Sequence, residues 1–250
     1  MVFVPRPEDP RVLAGGFKME EELQFRLNNI RRELTQASAA WGCAPKIIAV
    51  SKTVAPDAVN PLADLELYDL GENRVQEMLE KMPFLHPKFR MHLIGRLQTN
   101  KVKYIMDKVC LIHSLDRMEL AGEIDRQAGK MGCVMDVLVQ VNIAGEVQKG
   151  GISPGEADGF LRECALLPGL NVRGLMSVMP LAEDPESLRP LFRGMRTLFE
   201  DIAKEQIPGV RMEELSMGMS QDFRIAAQEG ATMVRIGSAL FGARSPKATN

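Results

Sequence analysis

The stretch Ile47-Ile48-Ala49-Val50-Ser51-Lys52-Thr53, with Pro56 soon after it, decides the reading of this chain. Its apolar run is too short for a buried helix and breaks into small polar residues and a proline. That is the pattern of a strand buried on both faces, predicted here over Ile47–Ser51. Lys52 then falls at the carboxyl end of the strand, where a parallel barrel gathers its ligand-binding residues. A lysine in such a place fits two descriptions. It is a solvated loop residue, or it is an amine whose desolvation lowers its pKa, so that the neutral form attacks an aldehyde to give a Schiff base.

The same pattern repeats downstream. Short apolar runs predict strands at Leu65–Leu70, Met91–Ile94, Val109–His113, Val134–Val141, Val172–Val178, Glu213–Ser216 and Met233–Ile236. Helical stretches are predicted between them at Pro56–Ala63, Arg74–Lys81, Thr99–Asp107, Arg117–Lys130, Pro154–Leu166, Pro185–Glu205 and Gln221–Gln228. Ser153-Pro154 and Asp184-Pro185 are helix-start signals. Strands alternating with helices through short connections make a single (β/α)8 TIM barrel the expected α/β fold, and the 250 residues suit it. A doubly wound open sheet is the alternative that strand counting leaves open.

Ahead of the barrel, Leu23, Leu27, Ile30 and Leu34 recur at helical spacing and predict an added N-terminal helix over Met19–Ala40, ended by Gly42 and Pro45. The expected organisation is a flexible arm over residues 1–16, rich in proline and charge, then a barrel over 17–245 and a tail over 246–250.

Composition narrows the function classes. Hydrophobic residues make up 45% of the chain, enough for a sizeable core, and the net charge of −2 offers no basic field for nucleic acid. Cys43, Cys110, Cys133 and Cys164 are scattered without a C-x-x-C pair, so they read as reduced thiols of a cytoplasmic protein rather than as disulfides or zinc ligands. His86, His92 and His113 have no metal-ligand spacing, and no metal is expected. Nothing approaches the ~18 apolar residues of a membrane span, nor does the N-terminus carry a signal-peptide core.

In a barrel, the residues just after each strand share one face. They include Lys52, Asn73, Gln98, Ser114, Asn142, Ser177, Ser216 to Ser220, and Arg235 to Ser238. Barrel phosphate sites commonly form from the loops after the seventh and eighth strands. Leu215-Ser216-Met217-Gly218-Met219-Ser220 and Arg235-Ile236-Gly237-Ser238 fall there, with backbone N–H groups and hydroxyls as donors. The alternative is that Gly218 and Gly237 only permit tight turns. Arg235, in the apolar context Met233-Val234-Arg235-Ile236, needs a partner, either a structural carboxylate or an acceptor on a ligand. Asn73 and Gln98 fit helix caps or ligand contacts equally, and His92 reads as a hydrogen-bonded core histidine.

With these residues in hand the chain resembles the pyridoxal phosphate homeostasis proteins, which are similar to the barrel domain of alanine racemase. The resemblance runs over nearly all of 18–244. It rests on Ala49-Val50-Ser51-Lys52-Thr53, Gly71-Glu72-Asn73, His92-Leu93-Ile94-Gly95, Leu97-Gln98-Thr99-Asn100-Lys101, Val141-Asn142 with Glu146 and Lys149-Gly150, Gly174-Leu175-Met176, Leu215 to Ser220, and Val234 to Arg244. Arg74 departs from it, since the family often has an aromatic residue there.

The resemblance implies pyridoxal 5'-phosphate (PLP) held on Lys52 as a Schiff base, a phosphate surrounded by Ser216, Ser220, Gly237 and Ser238, and Arg235 facing the pyridine nitrogen. It also implies a role in cytoplasmic vitamin B6 homeostasis, with PLP and PLP-dependent apoenzymes as partners and no established turnover. A monomer or weak homodimer is expected. An amino-acid racemase-like PLP enzyme and a Schiff-base aldolase are the alternatives, since all of them use Lys52. Efficient racemisation is not expected, because it needs a second base opposite the lysine. The tyrosines Tyr68 and Tyr104 fall in a predicted strand and a predicted helix.

Overall fold

A computed structural model describes residues 10–146 and 149–242 of the chain, so residues 1–9 of the expected arm and the expected tail lie outside the described residues. The strands are β1 (Lys46–Val50), β2 (Asp69–Glu72), β3 (Arg90–Leu93), β4 (Val109–Leu115), β5 (Met135–Gln140), β6 (Leu170–Met176), β7 (Val210–Met219) and β8 (Met233–Ile236). They pair in parallel and in sequence order, and β8 returns to β1 with Ile47 opposite Val234 and Ile48 opposite Arg235. The sheet is a closed barrel, and the open-sheet alternative is set aside.

The helices are α1 (Pro10–Ala37), α2 (Pro56–Val59), α3 (Val75–Lys81), α4 (Met118–Met131), α5 (Ala157–Cys164), α6 (Arg189–Glu205), α7 (Phe223–Gln228) and α8 (Ser238–Phe241). Several predicted helices begin as 3₁₀ turns, and Thr99–Tyr104 stays one throughout. Helix α1 starts before the expected Met19 and takes in residues 10–16 of the expected arm. Pro10 is no obstacle there, because a helix tolerates proline in its first turn. Leu23, Leu27, Ile30 and Leu34 are buried, and α1 packs on α7 and α8. Each such leucine contributes about 1.5–3 kcal/mol on burial.

Strand alternation separates two cores. On β1, Ile47 and Ala49 join the large cluster between sheet and helices, whereas Ile48 points inward with Leu111, Leu138, Met176 and Met233. On β8, Val234 and Ile236 face the helices, which turns Arg235 into the barrel interior. By the same period of two, Asp69, His92, His113 and Ser216 also face inward, between helix-facing neighbours such as Leu70, Leu93, Ile112 and Leu215. The interior therefore holds both an apolar cluster and a set of polar side chains, with β4 and β8 contributing to each.

Two strand boundaries differ from the sequence reading in ways that matter for the site. The second strand starts at Asp69 rather than Leu65, because Glu66 sits in a left-handed turn at φ 54° that an extended strand cannot contain. The seventh runs to Met219 rather than ending at Ser216. Ser216 to Gly218 therefore belong to the strand, not to a loop at the mouth.

Candidate functional site

At the carboxyl ends of the strands a cavity of ≈ 450 Å³ opens, within the range of about 300–1,000 Å³ usual for small-molecule sites. Of the residues expected to bind a ligand, it brings together Lys52, Asn73, Ser220, Arg235, Gly237 and Ser238. It does not bring in Ser177, Ser216, Met217 or Gly218. Gln98, exposed at the head of the 3₁₀ turn, is outside the lining too.

Lys52 is half-buried just past β1. The next residue, Thr53, has φ 62°, a left-handed conformation that a β-branched side chain rarely adopts. The backbone N–H of Thr53 donates to Glu77 on α3, which holds that turn. Beneath it, Ser51 Oγ donates to Glu72 Oε1 at 2.7 Å. Lys81 Nζ lies 2.6 Å from the same oxygen and 2.7 Å from the Ser51 carbonyl. Burial raises the Glu72 carboxyl above its ordinary range, against the lowering effect of Lys81. Lys81 and Glu72 thus form a buried ion pair under the lysine loop.

Asn73 reaches the cavity because Gly95 lets the loops after β2 and β3 touch: a Cβ at Gly95 would sit 2.3 Å from the Asn73 carbonyl oxygen. It is not a helix cap, since Arg74 occupies that position for α3.

On the opposite side, Gly218 has φ 92°, and a Cβ there would lie 2.4 Å from Ala226 Cβ. Only glycine allows β7 to bend here and lay Met219 and Ser220 over the mouth. Ser220 Oγ accepts from Gly237 N at 3.0 Å and Ala239 N at 3.2 Å, which ties the seventh and eighth strand ends together. Asp222, which also lines the cavity, accepts from Met219 N at 2.5 Å, and burial raises its pKa.

Arg235 spans interior and cavity. Its Nη1 donates to Ser216 Oγ at 2.8 Å and its Nη2 to the Ser177 carbonyl at 2.7 Å. The partners predicted for it were a carboxylate or a ligand; these two are neutral protein oxygens, and Asp222 acts on it only through its charge. Burial lowers the guanidinium pKa to about 10 despite Asp222. Ser216 and Ser177 thus hold the arginine from behind and do not face the cavity. Met217 is wholly buried in the helix-facing core.

Sequence reasoning missed Asp222, the Lys81–Glu72 pair and the wall formed by Val178, Pro180, Leu181 and Ala182 after β6. The Pro180 and Pro185 pair was the available signal for a stiff loop at that point. Glu146 and Lys149 pair with each other at 2.8 Å, away from the cavity.

The alanine racemase N-terminal domain family matches residues 25–245 of this closed barrel, a stretch that includes Lys52 after β1 and the inward Arg235 on β8. A pyridoxal phosphate homeostasis protein of Aquifex aeolicus (strain VF5) is 46% identical over 225 residues, covering 90% of this chain and 97% of the relative. PipY of Synechococcus elongatus PCC7942, solved with PLP bound, is 33% identical with a TM-score of 0.78 over 88% of this chain and 100% of its own. Alanine racemase of Clostridium difficile 630, at 18% identity and a TM-score of 0.68 over 91% of this chain and 58% of its own, shares the fold. The chain belongs to the pyridoxal phosphate homeostasis protein family, within the alanine racemase N-terminal domain class.

Proposed function

We propose that the chain binds PLP in this cavity and serves intracellular vitamin B6 homeostasis as a carrier rather than as an enzyme of robust turnover. The observation that carries the reading is the convergence of Lys52, the hydroxyl and backbone donors of Ser220, Gly237 and Ser238, and the buried Arg235 on one cavity. PLP-bound PipY and the naming of the Aquifex relative support it.

The residues suit the group. Lys52, at the carboxyl end of β1 and on the cavity lining, is the residue that would hold the aldehyde end of the group. When bound, PLP supplies an electron sink. Arg235 stays protonated near neutral pH and lines the cavity; set against the ring nitrogen it would act as a donor, disfavour a proton there and limit carbanion stabilisation. Ser220, Gly237 and Ser238 would hold the phosphate, Gly237 N–H exchanging its bond to Ser220 Oγ for one to the ligand, and Asn73 would lie on the opposite wall. Ser177, Ser216, Met217 and Gly218 act from behind, by fixing Arg235 and the bend of β7.

Turnover of amino acids would need a second base facing Lys52. Among the described residues neither tyrosine lines the cavity: Tyr68 precedes β2 under Lys88, and Tyr104 is exposed beside Lys103. Two measurements test the reading. Pyridoxal is expected to bind at least tenfold more weakly than PLP; equal affinities would remove the phosphate site. In deuterated water with L-alanine, the holoprotein is expected to form no D-isomer at ordinary enzyme rates. Fast formation lost in Lys52→Ala would make it a racemase.

A further inference from the structure

Behind the cavity floor a line of buried polar side chains crosses the barrel interior. Arg235 Nη1 donates to Ser216 Oγ at 2.8 Å, and Ser216 Oγ lies 3.0 Å from His113 Nδ1. His113 Nε2 lies 3.0 Å from His92 Nδ1, and His92 Nε2 lies 3.0 Å from Asp69 Oδ1. Asp69 Oδ2 ends the line on Arg90, whose side chain is 59% exposed at the amino-terminal end of the barrel.

The ends of this line fix its direction. A guanidinium can only donate and a carboxylate can only accept. Burial would raise the Asp69 pKa, but the hydrogen bonds from His92 and Arg90 prevail and lower it, so the carboxylate is ionised. Burial keeps His113 neutral, with its pKa well below 6.5. The relay takes His92 as neutral too, and with both rings neutral each contact can be made in one way only. Arg235 donates to Ser216, Ser216 to His113 Nδ1, His113 Nε2–H to His92 Nδ1, and His92 Nε2–H to Asp69. Reversing any link would set two acceptors or two donors face to face.

We propose that Ser216, His113, His92 and Asp69 form a one-way hydrogen-bond relay that positions Arg235 and draws off part of its positive charge, so setting the charge that Arg235 presents to the ring of a ligand in the cavity. The inference rests on the PLP reading for its ligand, but not for the direction of the relay. Hydrogen bonds in a chain polarise one another. A Ser216 hydroxyl engaged by His113 is a better acceptor from Arg235 than a lone hydroxyl. Ser216, His113 and His92 are thus positioning residues that touch no ligand themselves.

The direction is tested on the ligand-free protein, with histidine labelled with 15N. The chain has 3 histidines, so assignment is direct. His92 and His113 are expected at pH 7.5 as neutral rings protonated at Nε2 and bare at Nδ1. A proton on His113 Nδ1, or a cationic His92, would overturn the relay.

The coupling is tested on the PLP-loaded protein by the pH midpoint of its visible absorption band. The charged groups around Arg235 are Asp222 and Lys52 in the cavity and, through the relay, Asp69 with Arg90; Lys46 also acts on His113. All are retained in the variants. Cutting the relay leaves more positive charge beside the ring and disfavours a protonated imine. His113→Phe and Ser216→Ala are therefore each expected to lower the midpoint by about half a unit. The double variant should go no lower than the larger single effect, and His113→Gln should recover part of the shift. Unchanged midpoints, or fully additive ones, would overturn the coupling. A protein with the expected tautomers that shows no PLP band at all would instead sink the PLP reading.

Discussion

The two sides of the barrel mouth are built from different materials. On the β1–β2 side the lysine loop rests on buried charge: Lys81, brought in by α3, pairs with Glu72 and the Ser51 carbonyl below Thr53. On the β7–β8 side the rim is shaped chiefly by backbone, with Asp222 and the buried Arg235 beside it. Gly218 bends the strand, and Ser220 gathers the N–H groups of Gly237 and Ala239. One side sets the Lys52 turn on a buried ion pair. The other depends on close backbone approach at Gly218 and on the N–H groups that Ser220 gathers.

The largest effect that would break this contrast is on the charged side. Lys81→Met leaves Glu72 buried without its cation, and a loss of about 3–5 kcal/mol in unfolding free energy is expected by urea denaturation near neutral pH. The loss should shrink in acid. Glu72 already has a raised pKa, and without Lys81 it rises further. Between the unfolded value and that raised one the folded state binds more protons, so stability is gained as pH falls. A pH-independent loss would mean that Glu72 is not the group that loses its counter-charge in the substitution.

On the backbone side, Gly218→Ala combines a left-handed φ with a contact that Ala226 must yield to, and about 2–3 kcal/mol is expected. The titrating group beside the change is Asp222, which keeps its bond from Met219 N, so the difference from the unsubstituted protein should vary less with pH than that of Lys81→Met. Smallest is Ser220→Ala, which removes the acceptor of two backbone N–H groups. About 1–2 kcal/mol of stability is expected to go, read by thermal or urea unfolding, since neighbouring water takes up part of the loss. If Ser220→Ala cost more than Lys81→Met, the contrast between the sides would be wrong.

The same contrast explains what could be read from the sequence. Alternating apolar runs were enough for the barrel and for Lys52 at a strand end, because both depend on local pattern. That Ser220, Gly237 and Ser238 gather on one cavity was legible for a related reason, since glycine and serine advertise backbone geometry at their own positions, whereas Gly218 bends β7 from outside the lining. The end of β7 was not, since Ser216-Met217-Gly218 looks like a turn until strand pairing with β8 carries it onward. Ser216 was therefore assigned to the phosphate when it holds Arg235. Lys81 was hidden because its partner Glu72 lies on another element, and a lysine in a helix ordinarily faces water. His113 and Asp69 were hidden as well. His113 is one polar residue in an apolar run, Asp69 follows Glu66 in a run that reads as half polar, and their line to Arg235 exists only once the barrel closes.

The central claim is that Lys52 is the lysine that carries PLP. Borohydride reduction of the PLP-loaded protein, followed by peptide mass mapping, tests it most directly. The pyridoxyl group is expected on the peptide containing Lys52, and no adduct is expected in Lys52→Ala. A label residing mainly on Lys81, Lys101 or Lys149, or an undiminished adduct in Lys52→Ala, would contradict the account.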